Sequence, residues 1–400
     1  MLSPKAKNAV MIGSLCSISY FAVYIVRNIL SAVTPQMVEG GYTEAYIGSI
    51  SALYFTFYAV GQLINGAIGD KIKARWMISI GLLGAGIANF VFSRVTHIPE
   101  AATIAYGLSG FFLSMIYGPM TKVVAENTDP LHATRCSLGY TFASFFGSPS
   151  AGILASFLAW QSVFTVGSAA LVTMSAMVFI FFLIFEQRGI VKYGQFKTEK
   201  KGIKNVKELF RREIIKFSLI SIITGVVRTS VVFWLPTYIA QHLKFSPSDS
   251  AKIFTVATFV ISFTAFIAVF IYERFGCNIN KTLISVFSSS VVFFALTYVV
   301  KNPILNIICI VLAIMSSNAA ATMLWSRYCP SLRDTGMVSS VTGFLDFLSY
   351  MSAASANLIF ANAATAIGWS NLILVWLGIV AVGVVIVLPY RKIFRSKISN

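Results

Sequence analysis

Charge is what this sequence has least of. Only 11% of its 400 residues are Asp, Glu, Lys or Arg, whereas a soluble domain carries about one quarter, so there is too little polar material to cover a water-facing globule. Acids are scarcer than bases, 14 against 31, which leaves a formal charge of +17. The three histidines, His97, His132 and His242, stand near predicted loops, away from any buried proton relay. The five cysteines, Cys16, Cys136, Cys277, Cys309 and Cys329, show no paired or zinc-like spacing, which argues against disulfides and a metal site. There is no Gly-x-x-x-x-Gly-Lys-(Ser/Thr) phosphate loop and no His-Glu-x-x-His. Neither an enzyme nor a bound cofactor is therefore expected. The bases are not interleaved with aromatics as in a nucleic-acid groove; they fall between apolar runs and read as orientation signals for a lipid bilayer.

Apolar residues make up 57% of the chain and the mean hydropathy is +0.78. Windows of about 19 residues predict an all-α membrane protein with twelve spans, near 9–34, 46–69, 76–96, 101–124, 136–158, 162–185, 214–240, 250–272, 282–300, 304–326, 337–360 and 369–389. Gly40-Gly41, Asp129-Pro130, Ser246-Pro247 and Asn302-Pro303 mark turns. One polar stretch, Glu186 to Lys216, carries ten Lys/Arg and four Glu. It divides the chain into a bundle of six helices over 1–185, a linker over 186–213 and a second bundle over 214–400. The bias of Lys and Arg places both termini in the cytoplasm and the protein in the cell membrane. A functional monomer is expected.

Arg27 lies well inside the first apolar run, where a mid-span Arg costs about 2.5 to 3.5 kcal/mol and usually faces a cavity or a partner. A second copy of the arrangement centres on Arg228, and in both copies a proline, Pro35 or Pro236, follows the arginine by eight residues. Asp70-Lys71 follows Arg27 by 43 positions and Glu273-Arg274 follows Arg228 by 45. The halves read as a duplication with one buried arginine each. Guanidinium stays charged when buried and meets phosphate oxygens as a fork; the alternative is pairing with a buried acid, for which Asp346 is the candidate beside Arg228.

Gly66, Gly69, Asp70, Lys71 and Arg75 match, in spacing, the loop between the second and third helices of the major facilitator superfamily, with Lys73 where a second glycine usually lies. The stretch Tyr24-Ile-Val-Arg27 with Pro35, Val38 and Glu39 resembles the first helix of the organophosphate:phosphate antiporters. The likeness continues through Tyr58, Gly61 and Gln62, through Tyr117-Gly-Pro119, and from Arg228 through Trp234, Pro236, Thr237 and Tyr238 to Gly343-Phe344 and Tyr350. The resemblance implies two six-helix bundles and alternating access. It implies that Arg27 and Arg228 grip a phosphoryl group, that Tyr20, Tyr24, Tyr58, Tyr117, Trp234 and Tyr350 line the site, and that Gly66, Asp70, Lys71, Arg75, Glu273 and Arg274 form a cytoplasmic gate.

The sequence departs from that family at telling places. Asn28 and Gln62 stand where many members carry lysine, the fifth-helix histidine has no counterpart near Ser144, Phe233 replaces an acid, and Asp346 replaces a neutral residue. The substrate site is thus less positive. The expected function is movement of a small phosphorylated metabolite, a sugar phosphate or glycerol phosphate, by exchange with inorganic phosphate. The alternative is a proton-coupled symporter or exporter of another organic anion or a drug, with Asp346 as the proton-linked group or as a helix-packing residue bonded to Ser349 or Tyr350. A transporter-like sensor is a third class.

Overall fold

The computed structural model describes residues 4–69, 72–193, 209–210, 212–332 and 338–388. Asp70 and Lys71 of the expected gate, Arg333, residues 194–208 of the linker and the basic tail around Arg391, Lys392, Arg395 and Lys397 lie outside the described residues.

All regular structure among the described residues is helical. In order the helices are α1 (Pro4–Glu39), α2 (Glu44–Gly69), α3 (Ala74–Val95), α4 (Pro99–Leu113), α5 (Tyr117–Asn127), α6 (Pro130–Phe157) and α7 (Trp160–Gln187). Beyond the linker come α8 (Ile214–Gly225), a π-helical segment π1 (Val226–Val231), α9 (Val232–Gln241), α10 (Pro247–Ser262), α11 (Thr264–Arg274) and α12 (Ile279–Val299). The last are α13 (Pro303–Met323), π2 (Leu324–Tyr328), α14 (Cys329–Ser331) and α15 (Val338–Val387).

The turn residues act as helix caps. Asp129 accepts the N–H of His132 at 2.9 Å with Pro130 in the first turn of α6, and Asn302 accepts from Ile304 and Leu305 ahead of Pro303. Proline lacks a donor at a place where none is needed, and the side chain satisfies the orphan N–H groups beside it. Gly41 closes the α1–α2 turn at φ +94°, a conformation that costs glycine little.

Ten helices among the described residues are long and apolar enough to cross a membrane. One of them, Val341–Val387, runs 47 residues and bends at Gly368, whose φ of 76° and ψ of 164° break the helix; it is long enough for two crossings. With the 28-residue α6, this agrees with the twelve spans expected. The predicted fourth and eighth spans are each interrupted, at 114–116 between α4 and α5 and at Phe263 between α10 and α11.

The chain forms two compact units. The first takes in Met1–Lys200 together with Phe233–Phe259 and Ala354–Asn362. In it α1 packs on α6 and α7, α2 on α4, and α3 on α4 and α7. Phe92, Tyr106 and Phe164 stack at its centre, with Phe92 4.9 Å from each of the other two rings. The two later segments are held by hydrogen bonds. Ser31 donates to the Phe233 carbonyl at 2.7 Å, Asn357 to Ser51 at 2.6 Å, Ser248 to the Ser156 carbonyl at 2.9 Å, and Gln241 to Glu44. Gly48 makes the approach possible, since a Cβ there would meet the Asn357 carbonyl at 2.9 Å and strike Ala361.

The second unit holds the described residues through Val232, then Val260–Ala353 and the chain from Ala363 onward. Here α12 packs on α13, α11 on α13, and α13 on α8 and π1. The start of α15 lies on α8 through Ser221 donating to the Leu345 carbonyl at 2.6 Å and Ser352 to the Ile222 carbonyl at 3.1 Å.

Candidate functional site

Arg27 is half-buried and ringed by aromatic side chains. Its Cζ stands 5.0 Å from the centre of the Tyr58 ring, 5.6 Å from Tyr24 and 5.8 Å from Phe55. Tyr24 and Arg27 are three apart on α1, and Phe55 and Tyr58 three apart on α2, so each pair shares a helical face. Such a collar offers the cation the negative faces of three rings and so favours a guanidinium within an apolar span.

The collar extends along α1. Tyr20 and Tyr24 meet edge to face at 4.9 Å, and Tyr20 also contacts Tyr117 at 5.4 Å and Tyr140 at 6.3 Å. Tyr58 stacks with Tyr54 at 6.3 Å, and Tyr54 with Tyr106 at 4.9 Å. Tyr24 is fixed from behind by Gly147 of α6, where a Cβ would come within 2.9 Å of the Tyr24 carbonyl carbon. The structure therefore gathers Tyr20, Tyr24, Tyr58, Tyr117 and Arg27 in one cluster. Phe55, Tyr54, Tyr106 and Tyr140 belong to the same cluster and were not foreseen. The signal for Phe55 was its three-residue offset from Tyr58; Tyr106 and Tyr140 lie on other helices, and nothing local points to them.

Asn28, at the position of a family lysine, turns back and donates from Nδ2 to the Tyr24 carbonyl at 2.7 Å. Gln62 is half-buried on α2. Trp234 is wholly enclosed in the first unit, packed beside Phe233 and Gly48.

In the second unit Arg228 sits within π1, half-buried. A π turn inserts one extra residue, and such turns in long helices frequently coincide with functional sites. Gly225 precedes it and packs directly on Ser349, whose Cα a Cβ would reach at 2.7 Å. Among the described residues no ion pair of Arg228 is seen. Asp346 is half-buried and Tyr350 buried on α15, opposite α8.

Of the expected gate, Gly66 lies on α2, and Glu273 and Arg274 are exposed at the end of α11. Arg75 is engaged within the first unit: its Nη1 is 3.0 Å from Glu186 of α7, with Lys73 3.8 Å from the same carboxylate. Tyr193 donates to the other carboxylate oxygen at 2.9 Å. Burial, and then the bond to Glu186, push the Tyr193 phenol above its ordinary value.

The family description of the Major Facilitator Superfamily matches residues 16–357. The chain belongs to that superfamily. It is a multi-pass integral membrane protein. A glycerol-3-phosphate transporter of Bacillus subtilis is 24% identical over 256 residues, 58% of this chain and 58% of that protein. The membrane sensor protein UhpC of Salmonella typhimurium is 28% identical over 96 residues, covering 24% of this chain and 22% of the relative. Human sugar phosphate exchanger 3 is 33% identical over 51 residues, 13% and 10% of the two chains. The chain thus spans at most 58% of the length of these relatives. Among solved structures, a bacterial homologue of the lysosomal transporter Spinster and a D-xylose–proton symporter both superpose with a TM-score of 0.73. The first is 13% identical and covers 96% of this chain and 97% of its own; the second is 10% identical and covers 95% and 97%. These show the shared fold.

Proposed function

We propose that the protein is an organophosphate transporter of the major facilitator superfamily, moving a small phosphorylated metabolite across the cell membrane, with both termini cytoplasmic, by exchange with inorganic phosphate. The aromatic collar around Arg27 inside an apolar span carries this reading. Arg27 and Arg228 are the two phosphoryl ligands, each a planar fork suited to bidentate contact with phosphate oxygens. Tyr24 and Tyr58 orient Arg27, and the hydroxyls of Tyr20 and Tyr117 complete the anion's hydrogen bonds. The names of the Bacillus and human relatives support the substrate class. Two guanidinium groups nearly balance a phosphate monoester dianion near neutral pH, and Asn28, where many members of the family carry lysine, donates to the Tyr24 carbonyl.

The test is counterflow of radiolabelled phosphate in proteoliposomes, for the wild type beside Arg27→Lys and Arg228→Lys, with sugar phosphates and carboxylates as competitors. Lysine keeps the charge and loses the fork. Phosphate exchange that either lysine variant abolishes supports the reading. Uptake of a different anion driven by a proton gradient, without phosphate exchange, replaces it with proton symport. The relative that is a membrane sensor supplies a second reading, in which the same site binds a sugar phosphate to signal; saturable binding without flux in the same vesicles selects it.

A further inference from the structure

Gly13, Ser17, Tyr20, Tyr24 and Arg27 follow one another at alternating steps of four and three, so they share one face of α1. At the N-terminal end of that face a cavity of about 420 Å³ opens between α1 and α6, within the range of about 300 to 1,000 Å³ typical of small-molecule sites. Val10, Ser14 and Ser17 line it from α1, and His132, Arg135 and Cys136 from α6. Its chemistry is one-sided. Arg135 is exposed, and among the described residues no carboxylate pairs with it. Asp129 is the nearest acid in sequence, and it is engaged twice by His132, accepting its backbone N–H at 2.9 Å and standing 2.7 Å from its Nδ1. Among the described residues no acid lines the cavity.

We propose that this cavity is a second, outlying station for the transported phosphate monoester, with Arg135 as its capture residue, from which the anion passes along the face of α1 to Arg27. The inference rests on the organophosphate reading given above. Ser17 lies ten residues before Arg27, roughly 15 Å along the helix at about 1.5 Å per residue. That distance is too great for one phosphate to touch both arginines, so the station is separate from the site at Arg27. The serines on α1 supply hydroxyl donors along the way. Arg135 would raise the local concentration of anion ahead of the inner site, as a cation at the mouth of a low-dielectric cleft does.

The experiment uses Ser14→Cys, an exposed lining position outside the Arg27 collar, as a maleimide target in the full-length protein, with modification at that cysteine read by peptide mass spectrometry. Glycerol 3-phosphate or inorganic phosphate at about ten times its dissociation constant fills roughly nine sites in ten and should slow labelling about tenfold. The protection should survive Arg27→Lys, which abolishes transport, and should need about tenfold more ligand in Arg135→Gln for the loss of one charge-assisted contact. In flux, Arg135→Gln should raise KM with little change in kcat.

Absence of protection in a protein that exchanges phosphate overturns the station and leaves the transport reading intact. Protection that Arg27→Lys removes and Arg135→Gln does not overturns it too, because the cysteine then reports a change begun at the inner site. A third arm compares vesicles of neutral lipid with vesicles containing anionic phosphatidylglycerol. Protection by the anionic lipid alone, with none by soluble phosphate, assigns the cavity to a lipid headgroup and overturns the proposal.

Discussion

Ser31 Oγ donates to the carbonyl of Phe233 at 2.7 Å, joining α1, one turn past Arg27, to α9, five residues past Arg228 in the chain. Asn357 donating to Ser51, and Gly48 lying against Asn357 and Ala361, reinforce the same region of the first unit. A buried hydrogen bond of this kind contributes about 1 kcal/mol, whereas the glycine contact has no slack. Ser31→Ala should therefore shift the balance of transport states only about fivefold, visible as a modest change in exchange rate. Gly48→Val should cost well over tenfold in flux, because the obstructing atoms include a backbone carbonyl that cannot move aside. Equal effects from the two substitutions in the proteoliposome assay would contradict this.

The collar around Arg27 predicts a difference between ring and hydroxyl. Tyr58→Phe keeps the face over which the guanidinium sits at 5.0 Å, and its KM for phosphate should change less than about threefold. Tyr58→Leu removes the face; a partly desolvated cation–π contact contributes about 1 to 2 kcal/mol, so KM should rise about five- to thirtyfold. A large effect of Tyr58→Phe would instead make the hydroxyl a direct ligand of the anion.

Glu186 is the hub of a cluster at the ends of α3 and α7, where its side chain is 16% and that of Arg75 11% exposed. Glu186→Gln leaves Arg75 without its carboxylate, and loss of a charged hydrogen bond of this kind costs about 1.5 to 3 kcal/mol. The unfolding midpoint in detergent should fall accordingly. Tyr193 adds a pH dependence. Its folded pKa is raised, so the stabilisation is present below about pH 10, the ordinary tyrosine value, and is lost as pH rises through the folded value. Amide exchange of residues 188–193 should quicken above that pH in the wild type, and Tyr193→Phe should remove the alkaline step.

Much of this architecture was legible in the chain. Apolar run lengths gave the spans, and Asp129-Pro130 and Asn302-Pro303 gave the helix starts, because capping depends on a few adjacent residues. Tyr20, Tyr24 and Arg27 were legible as one face because helical periodicity is local. The partners of that face on α2, α4 and α6 were only partly so, since Phe55, Tyr106 and Tyr140 are brought in by tertiary packing. The partner of Arg75 was hidden for the same reason: its own spacing is local, while Glu186, to which it is hydrogen-bonded, lies 111 residues away. The break at 114–116 and the π turn at Arg228 had no local signal, because nothing in Val-Val-Arg-Thr-Ser-Val distinguishes five-residue from four-residue hydrogen bonding.

The π turn offers the sharpest test of Arg228. It holds one residue more than an α-helix of the same rise, so deleting Thr229 should let Val226–Val231 close into regular helix. The change is local: because the π turn already accommodates the extra residue, its removal leaves the flanking helices near their register and re-aims the side chains inside the turn, Arg228 among them, while α9 keeps its packing through Phe233 and Trp234. Helix content by circular dichroism should stay constant and phosphate counterflow should vanish. Inserting an alanine after Ser230 in the deleted chain restores the extra residue and should recover flux, whereas an unperturbed flux in the deletion itself would mean that the direction of Arg228 is immaterial to transport.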